Sequence, residues 1–233
     1  AFELSMESIS GKATHQIYSS SASMDDPTYI NLRLNTGIPL APVVQRYISA
    51  GDDYRRTFLL MGVDPFDERP FRSYLSGLRR KTTEILSPLM TQPNTALIAQ
   101  KPADELGVRP GDSLKIRVGG RFTKIKIIAL LKPNNERSAS ALQNLIITDI
   151  STAQEIAEQN GKLTRIDVII PENEHKSEKI NSIKKQLPEG IYFSKSASRS
   201  SVNESMTDAF NMNLTAMSLL ALIVGMFLIY NTM

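Results

Sequence analysis

The residue types that could carry out chemistry in this chain are two histidines, many serines and 24 acidic residues, and there is no cysteine. His15 and His175 lie far apart in the sequence, and neither has a second histidine at the spacing of a zinc-binding helix. No Gly-x-Ser-x-Gly sequence occurs, so the turn that exposes a hydrolase serine is not encoded. The acidic residues are scattered and form no evident acid–base pair. We therefore expect no catalytic residue, no metal site and no cofactor-binding residue, and we assign no substrate-binding residue.

One segment, Gly77–Thr82, has some likeness to a phosphate-binding loop because it ends in a Lys-Thr pair. A Walker A loop needs glycine immediately before the lysine and again five residues before that glycine, so that backbone amides can approach phosphate. Arg80 and Leu75 occupy those two positions here. The segment is therefore excluded as an ATP site, and its basic cluster is interpreted as solvated surface.

The overall composition is that of an ordinary globular domain. The chain has 233 residues, 41% of them hydrophobic, and a formal net charge of +3 at pH 7. This surplus is small beside the 27 basic and 24 acidic residues, so composition gives little support to nucleic-acid binding. The absence of cysteine excludes disulfides and thiolate metal sites, and it is compatible with an oxidising compartment.

Two stretches of alternating short strands and helices predict the main structural elements. The first, 13–61, has a β-α-β-β pattern, and its helix is expected to begin at Asp25-Asp26-Pro27, an acidic cap with proline in the first turn. The second, 145–193, has a β-α-β-α-β pattern whose second helix is expected from Glu172 to Leu187, with a turn at Pro188-Glu189-Gly190 before the last strand. We expect these two stretches to share one sheet, with 65–144 mostly outside it.

The stretch 65–144 is irregular at first and then rich in strands. Four prolines interrupt 65–93, whereas Gly119-Gly120 separates two alternating runs and predicts a hairpin. Apolar and basic residues alternate in both runs, so one face is expected to be core and the other solvated. The basic residues are Lys115, Arg117, Lys124 and Lys126. A nucleic-acid patch is the alternative interpretation of these cations and is less favoured.

The C-terminal stretch has the pattern of a helix that runs into a bilayer. Ser201 and Glu204 match a capping box, and no charged residue occurs from Leu214 to Tyr230. At about 1.5 Å per residue, a helix over 211–233 is about 34 Å long, enough for a hydrocarbon core of roughly 30 Å. A buried core helix is the alternative, but it would be shorter and more amphipathic. The predicted transmembrane residues are Leu214, Ala221, Gly225 and Tyr230, of which Ala221 and Gly225 have the small-xxx-small spacing of helices that pack in lipid.

The opening residues also have a helical pattern. Phe2, Met6 and Ile9 occupy one face of a helix that is expected to end at Gly11. The pattern lacks a helix start, and the opening residues do not match the pattern of a signal peptide. We therefore expect this chain to be the water-exposed domain of a larger membrane protein.

Several short motifs are informative when they are taken together in their order and spacing. The motifs are Ala1–Ser5, Gly11–Ile17, Leu60–Pro65, Leu106–Asp112, Ile147–Gln154, Asn213–Leu220 and Tyr230–Met233. In this order they resemble the FtsX/MacB-type ABC transporter permeases, in which the corresponding segments lie between the first and second transmembrane helices. The resemblance covers essentially the whole chain.

The resemblance implies an α+β fold of the MacB-like periplasmic type. Residues 1–11 would end the first transmembrane or stalk helix, and 12–64 with 145–198 would form a discontinuous α/β (porter-like) subdomain. Residues 65–144 would form an inserted β-rich (sabre-like) subdomain, and 199–233 the stalk and the start of the second transmembrane helix. This order agrees with the pattern of strands and helices described above.

The resemblance also implies a function without catalysis by the chain itself. Members of the family use ATP hydrolysis by a separate cytoplasmic ABC-type ATPase to move the periplasmic domain, a mode called mechanotransmission. Family substrates include lipoproteins, lipids, peptides and small molecules, and partners include a second permease subunit and periplasmic proteins or lipoproteins. The implied location is the bacterial inner membrane, multi-pass, with this domain in the periplasm or outside the cell. A membrane-anchored sensor or binding domain without an ATPase partner is the alternative, and neither reading involves nucleic acid.

Overall fold

The computed structural model describes residues 11–68, 70–72, 82–133, 139–140, 142–173, 175–196, 212–224, 226 and 230–231. These residues fall into two units, one within 1–196 and one within 197–233. The first unit contains all the strands listed next, and the second contains a helical segment.

The strands of the first unit are short and follow the alternating or fully apolar patterns seen in the sequence. The two longest strands have 11 residues each, and each is one arm of a hairpin. In a hairpin a short turn joins two neighbouring antiparallel strands. In chain order the strands are β1 (His15–Ser19), β2 (Met24–Asp25), β3 (Leu40–Ala50), β4 (Arg56–Val63), β5 (Thr95–Ala99), β6 (Ser113–Val118), β7 (Arg121–Leu131), β8 (Leu145–Asp149), β9 (Lys162–Leu163), β10 (Arg165–Val168) and β11 (Ile191–Lys195).

Some helices of the same unit have clear capping residues. The side chain of Asp149 accepts a hydrogen bond from the Thr152 amide, 3.1 Å long, and so caps the fourth helix. Gly37 follows the first helix with φ 59°, the left-handed conformation that glycine adopts without strain. The helices are α1 (Asp26–Thr36), α2 (Thr82–Thr91), α3 (Gln100–Leu106), α4 (Ile150–Ala157) and α5 (Lys176–Gln186).

Nine of these strands form one mixed sheet in the order β11-β1-β10-β3-β4-β8-β5-β7-β6. The last strand of this order, β6, also pairs with the fourth strand, β3. The pairing joins Ser49-Ala50 of β3 to Ile116-Arg117 of β6. The strands β3, β4, β8, β5, β7 and β6 therefore close into a six-stranded ring, and β10, β1 and β11 extend from it as an open sheet. Closure removes most of the free edge that a flat sheet would expose.

A buried apolar core fills the interior of the ring. All six ring strands contribute to it, and the registers place the contributing residues on the same face. Consequently the opposite face of β6 and β7 is turned outward. The interior residues from the strands are Ile48, Ala50, Phe58, Leu60, Ala96, Ile98, Leu114, Ile116, Val118, Ile125, Ile127 and Ile146.

Two further apolar clusters attach the helices to the sheet. Leu86 and Leu89 of α2 pack with the strands β4, β5 and β8, and α1 and α5 pack with β1 and β10. The helix α4 lies close to β4, since a Cβ on Gly62 would stand 2.3 Å from the Cβ of Ala153. Glycine at position 62 is therefore required by this close approach.

Most elements predicted from the sequence are confirmed. The Gly119-Gly120 hairpin joins β6 to β7, and both glycines have positive φ. The turn at 188–190 is also confirmed, because the Ile191 amide donates to the Pro188 carbonyl at 3.2 Å and Gly190 has φ 80°. The stretches 13–61 and 145–193 do share one sheet.

Three expectations need correction. The stretch 65–144 does not lie mostly outside the shared sheet, because β5, β6 and β7 are members of it. The reason is burial: all five residues of Thr95–Ala99 are buried, which suits a central strand covered on both faces. The irregular stretch 65–93 also contains the helix α2, and the helix expected from Glu172 begins at Lys176. The boundaries of the two predicted subdomains stay a prediction.

The second unit contains a helix over 212–224 in which every described side chain is exposed. Leu214 is 51% exposed and Tyr230, in a further helical position, is 83% exposed. Ala221 also lies in the described helix, whereas Gly225 and the predicted capping box at Ser201 and Glu204 lie outside the described residues. Within the part of the chain that is described, no helix combines the length and apolar character that crossing a membrane requires. The transmembrane assignment of these residues stays a prediction.

Candidate functional site: the junction beside the first and last strands

The first and last strands of the sheet lie side by side and antiparallel, so the chain enters and leaves the sheet at one place. In the antiparallel pair β1–β11, His15 stands opposite Lys195. The pairing continues one residue outward, where the Ser196 amide donates to the Thr14 carbonyl at 3.0 Å. We call this place, together with the turn 68–72 and the end of β10, the junction.

Thr14 connects the two strands on either side of it. Its amide donates to the Val168 carbonyl at 2.9 Å, and its hydroxyl accepts a hydrogen bond of 2.9 Å from the Ile170 amide. The Ser196 amide bonds to Thr14 as well. Thr14 is therefore hydrogen-bonded to residues at the ends of both β10 and β11. Thr14 thus links the ends of these two strands through its backbone and its hydroxyl.

Gly11 brings the chain against the turn 68–72. A Cβ at this position would stand 2.3 Å from the Phe71 carbonyl oxygen and 2.9 Å from the Cγ of Arg72. The next residue, Lys12, donates its amide to the same Phe71 carbonyl at 2.8 Å. Glycine at position 11, with φ 63°, is therefore required both by the close approach and by the left-handed backbone.

A buried cluster of four charges joins the turn 68–72 to β10. Arg72 forms ion pairs with Glu68, four residues before it, and with Asp167 of β10, and all three side chains are fully buried. Arg165 donates its Nε to Asp167 at 2.8 Å and is itself 5% exposed. Two cations and two carboxylates balance one another, which is the condition under which buried charges are tolerated.

The two carboxylates of this cluster differ in how they ionise. Burial alone raises the pKa of Asp167, but the neighbouring guanidinium groups of Arg165 and Arg72 outweigh it and hold that pKa below its usual range. Burial also raises the pKa of Glu68, and there Arg72 offsets the effect only in part. Asp167 is therefore the carboxylate of the cluster that stays ionised, because two arginines contact it at once.

The turn is also connected to α1 on its other side. Asp67 accepts hydrogen bonds from Tyr29 and from Arg33, both on α1. Its carboxylate is 13% exposed while Arg33 is half exposed. The turn 68–72 is thus held between α1, β10 and the segment that begins at Gly11.

His15 lies at the junction with its ring stacked on Phe193, the centroids 4.9 Å apart and the planes at 4°. Its Nδ1 lies 2.9 Å from the Thr14 hydroxyl. Burial lowers the pKa of His15, and the positive charges of Lys176 and Lys195 lower it further. His15 is therefore a neutral, structural side chain at neutral pH.

This lowered pKa predicts a pH dependence of stability. Between pH 6.5 and the lower pKa of the folded state, the unfolded chain binds a proton at His15 that the folded chain does not, so stability falls as the pH falls. We expect the free energy of unfolding, measured in urea at pH 7 and pH 5, to fall more in the wild type than in His15→Phe, which keeps a ring on Phe193 but cannot titrate. An equal fall in both proteins would show that His15 contributes nothing to the pH dependence.

The two histidines lie on different elements of the fold. His175 contacts Glu178 at 3.0 Å on the exposed side of α5, and His15 is at the junction. Among the residues that the structure describes, no three His, Asp or Glu side chains form a group that could hold a metal ion. Lys81, of the segment already excluded as an ATP site, lies outside the described residues.

Sequence reasoning did not find the junction. Two signals were present: Glu68 and Arg72 have i,i+4 spacing, and Arg165 and Asp167 stand two residues apart on a strand otherwise made of apolar residues. Charges at i and i+2 of a strand share one face. A buried strand with charges on one face needs counter-charges from another element, but the sequence does not say which element supplies them.

A known permease protein is similar to this chain over its whole length. No protein-family model matches the chain. Over 232 residues it is 39% identical to an uncharacterised ABC transporter permease protein of Mycobacterium tuberculosis, a match that covers 100% of this chain and 26% of the relative. The chain thus spans about a quarter of the length of that relative.

A solved structure shares the fold at low sequence identity. The periplasmic region of MacB from Actinobacillus actinomycetemcomitans superposes with a TM-score of 0.50 at 10% identity, over 83% of this chain and 94% of that one. The extracellular domain of the ABC-type transporter YknZ from Gram-positive bacteria has a TM-score of 0.49 at 10% identity, over 78% and 99% of the two chains. The MacB structure shows that the chain has the α+β fold of a MacB-type periplasmic domain. The match to the mycobacterial permease protein confirms the resemblance to ABC transporter permeases.

Proposed function

We propose that this chain is the part of an ABC transporter permease that lies outside the cytoplasm and converts movement of its membrane segments into movement of a substrate. ATP hydrolysis by a separate cytoplasmic ATPase drives that movement, and the chain itself catalyses no reaction. The permease resides in the bacterial inner membrane. Its substrate belongs to the classes that the family handles, namely lipoproteins, lipids, peptides or small molecules.

The observation that carries this proposal is the pairing of the first strand of the sheet with the last. The Thr14 carbonyl and the Ser196 amide are hydrogen-bonded at 3.0 Å, so the segments before and after the domain attach to the same edge of one sheet. A push on a pair of adjacent, hydrogen-bonded strands moves the whole sheet, because its strands are linked by hydrogen bonds from β11 to β6. The buried charge cluster extends this attachment to the turn 68–72 and, through Asp67, to α1.

The ATPase partner is tested by purification of the whole permease from its native membrane. We expect an ABC-type ATPase to copurify in mild detergent and to remain bound through size-exclusion chromatography. The matched control is the 233-residue chain alone, which is expected to retain no ATPase because the cytoplasmic contacts lie in other parts of the protein. A full-length protein that binds no ATPase under conditions that preserve its fold would favour a sensor or binding domain instead.

A further inference from the structure

The outward face of the β6–β7 hairpin carries a group of cations and one exposed aromatic ring. Lys115 and Arg117 on β6 and Lys124 and Lys126 on β7 are all exposed, and Phe122, opposite Arg117, is 63% exposed. These five residues, which we call the basic face, lie on the outside of the strand ring because the alternate residues fill its interior.

The basic face places like charges next to one another. Lys115 stands directly opposite Lys124 in the β6–β7 register, an arrangement in which the side chains repel across about 5 Å. Lys115 Nζ lies 3.0 Å from the exposed carboxylate of Asp52. Within the described part of the chain, no ion pair is formed by Arg117, Lys124 or Lys126. The face therefore has unbalanced positive charge that an anionic partner would relieve.

One end of the basic face is aromatic. Phe122 packs on Tyr54 with ring centroids 5.0 Å apart, and the guanidinium of Arg117 lies 5.8 Å from the Tyr54 centroid. Tyr54 has φ 53°, an uncommon backbone conformation for a residue with a side chain. Aromatic residues and arginine are the types enriched where proteins bind one another.

The geometry of these rings distinguishes between anionic partners. Single-stranded nucleic acid binds by stacking bases on open aromatic faces, but Tyr54 has Phe122 and Arg117 packed on its ring. What remains exposed is an apolar projection at Phe122 beside a row of cations. A polypeptide that carries acidic side chains and an apolar or aromatic side chain matches both features.

The basic face is far from the junction. Ser49 of β3, which pairs with Arg117, is nine residues beyond Leu40, the residue paired with β10 at the junction end. At about 3.3 Å per residue, that separation is about 30 Å along the strand. The two surfaces are therefore able to act independently of one another.

We propose that the basic face is a docking surface for an acidic segment of another protein, with Phe122 as the apolar contact and Lys124 and Lys126 as the main charge contacts. The positive charge of this exposed face selects an acidic partner. This assignment does not rest on ATP coupling at the junction and can fail or succeed separately from it.

The test uses the whole 233-residue chain and a short peptide of glutamate and aspartate residues around one tryptophan. The chain contains no tryptophan, so the fluorescence anisotropy of the peptide reports binding without background. We expect saturable binding that weakens as salt is added. The double variant Lys124→Glu with Lys126→Glu should weaken it by about tenfold or more, and Phe122→Ser by about fivefold or more.

The matched control is the double reversal Lys184→Glu with Lys185→Glu, which makes the same change in net charge on two exposed lysines of α5. It should change the affinity by less than about twofold, since the charges lie off the basic face. The Lys124→Glu change places an acid opposite Lys115, so this variant should fold at least as stably as the wild type, which thermal unfolding checks.

Four outcomes overturn the proposal. The first is that the peptide does not bind. The second is that the α5 control weakens binding as much as the basic-face variant, and the third is that Phe122→Ser has no effect, which would mean that only long-range charge acts.

The fourth is that the basic face prefers another class of anion. This outcome is checked with a DNA duplex and with vesicles of anionic phospholipid, and it is reached if either binds through Lys124 and Lys126 more tightly than the peptide does.

Discussion

Replacing Asp167 by asparagine is expected to destabilise the first unit by about 3–5 kcal/mol, the loss typical when one partner of a buried ion pair is removed. Asparagine keeps the size of the side chain but removes the charge that Arg165 and Arg72 both contact. The cluster is then left with two buried guanidinium groups against one carboxylate. The measurement is the free energy of unfolding in urea, followed by circular dichroism.

The matched control is Asp52→Asn, which also removes one carboxylate from an ion pair. The Asp52 side chain is 94% exposed, so its pair with Lys115 is screened by water, and the expected loss is less than about 1 kcal/mol. If Asp167→Asn and Asp52→Asn lose the same small amount, the buried cluster does not hold the junction together.

Inserting a six-residue Gly-Ser linker after Ser196 is expected to abolish ATP-driven movement of the domain in the full-length permease. Such a linker behaves as a flexible coil with a root-mean-square span of about 13 Å, so it absorbs displacement that a stiff connection would transmit. The domain should stay folded, because the insertion follows the hydrogen bond between Ser196 and Thr14 and leaves the β1–β11 pairing in place. The bound ATPase should remain assembled.

The same linker inserted between Gly119 and Gly120 serves as the control. That turn is an exposed hairpin tip, where insertions are tolerated, and it lies away from the junction. ATP-driven movement of the domain should persist in this control protein. If both insertions leave ATP-driven movement intact, a stiff connection at residue 196 is not what couples the domain to the membrane segments.

Local elements were predictable from the sequence because their signals are local. Gly119-Gly120 between two alternating runs indicates a hairpin, and Asp25-Asp26-Pro27 indicates a helix start; both are present. The helix α2 was not predictable, because Pro88 lies inside it and proline disfavours a helix interior. Its Leu86 and Leu89 pack into the core, and tertiary packing of this kind overrides local propensity.

Contacts between distant segments were much less predictable. The closure of the ring depends on two residue pairs between β3 and β6, and nothing in either strand alone specifies its partner. The junction has the same difficulty, since Arg72 and Asp167 are 95 residues apart in the chain. The apolar pattern indicates which face of a strand is buried, but the choice of neighbour depends on the energy of the whole fold.

The central claim, that ATP hydrolysis moves this domain, is tested most directly by energy transfer between the domain and the membrane. These 233 residues contain no cysteine. Once any cysteine elsewhere in the full-length permease is replaced by serine, Asn160→Cys, on an exposed turn, can carry a single donor dye. The permease and its bound ATPase are placed in a bilayer that contains acceptor lipids. We predict that the transfer efficiency changes on addition of Mg²⁺ and ATP and returns when the ATP is consumed. An efficiency that stays constant while the bound ATPase hydrolyses ATP would contradict the account.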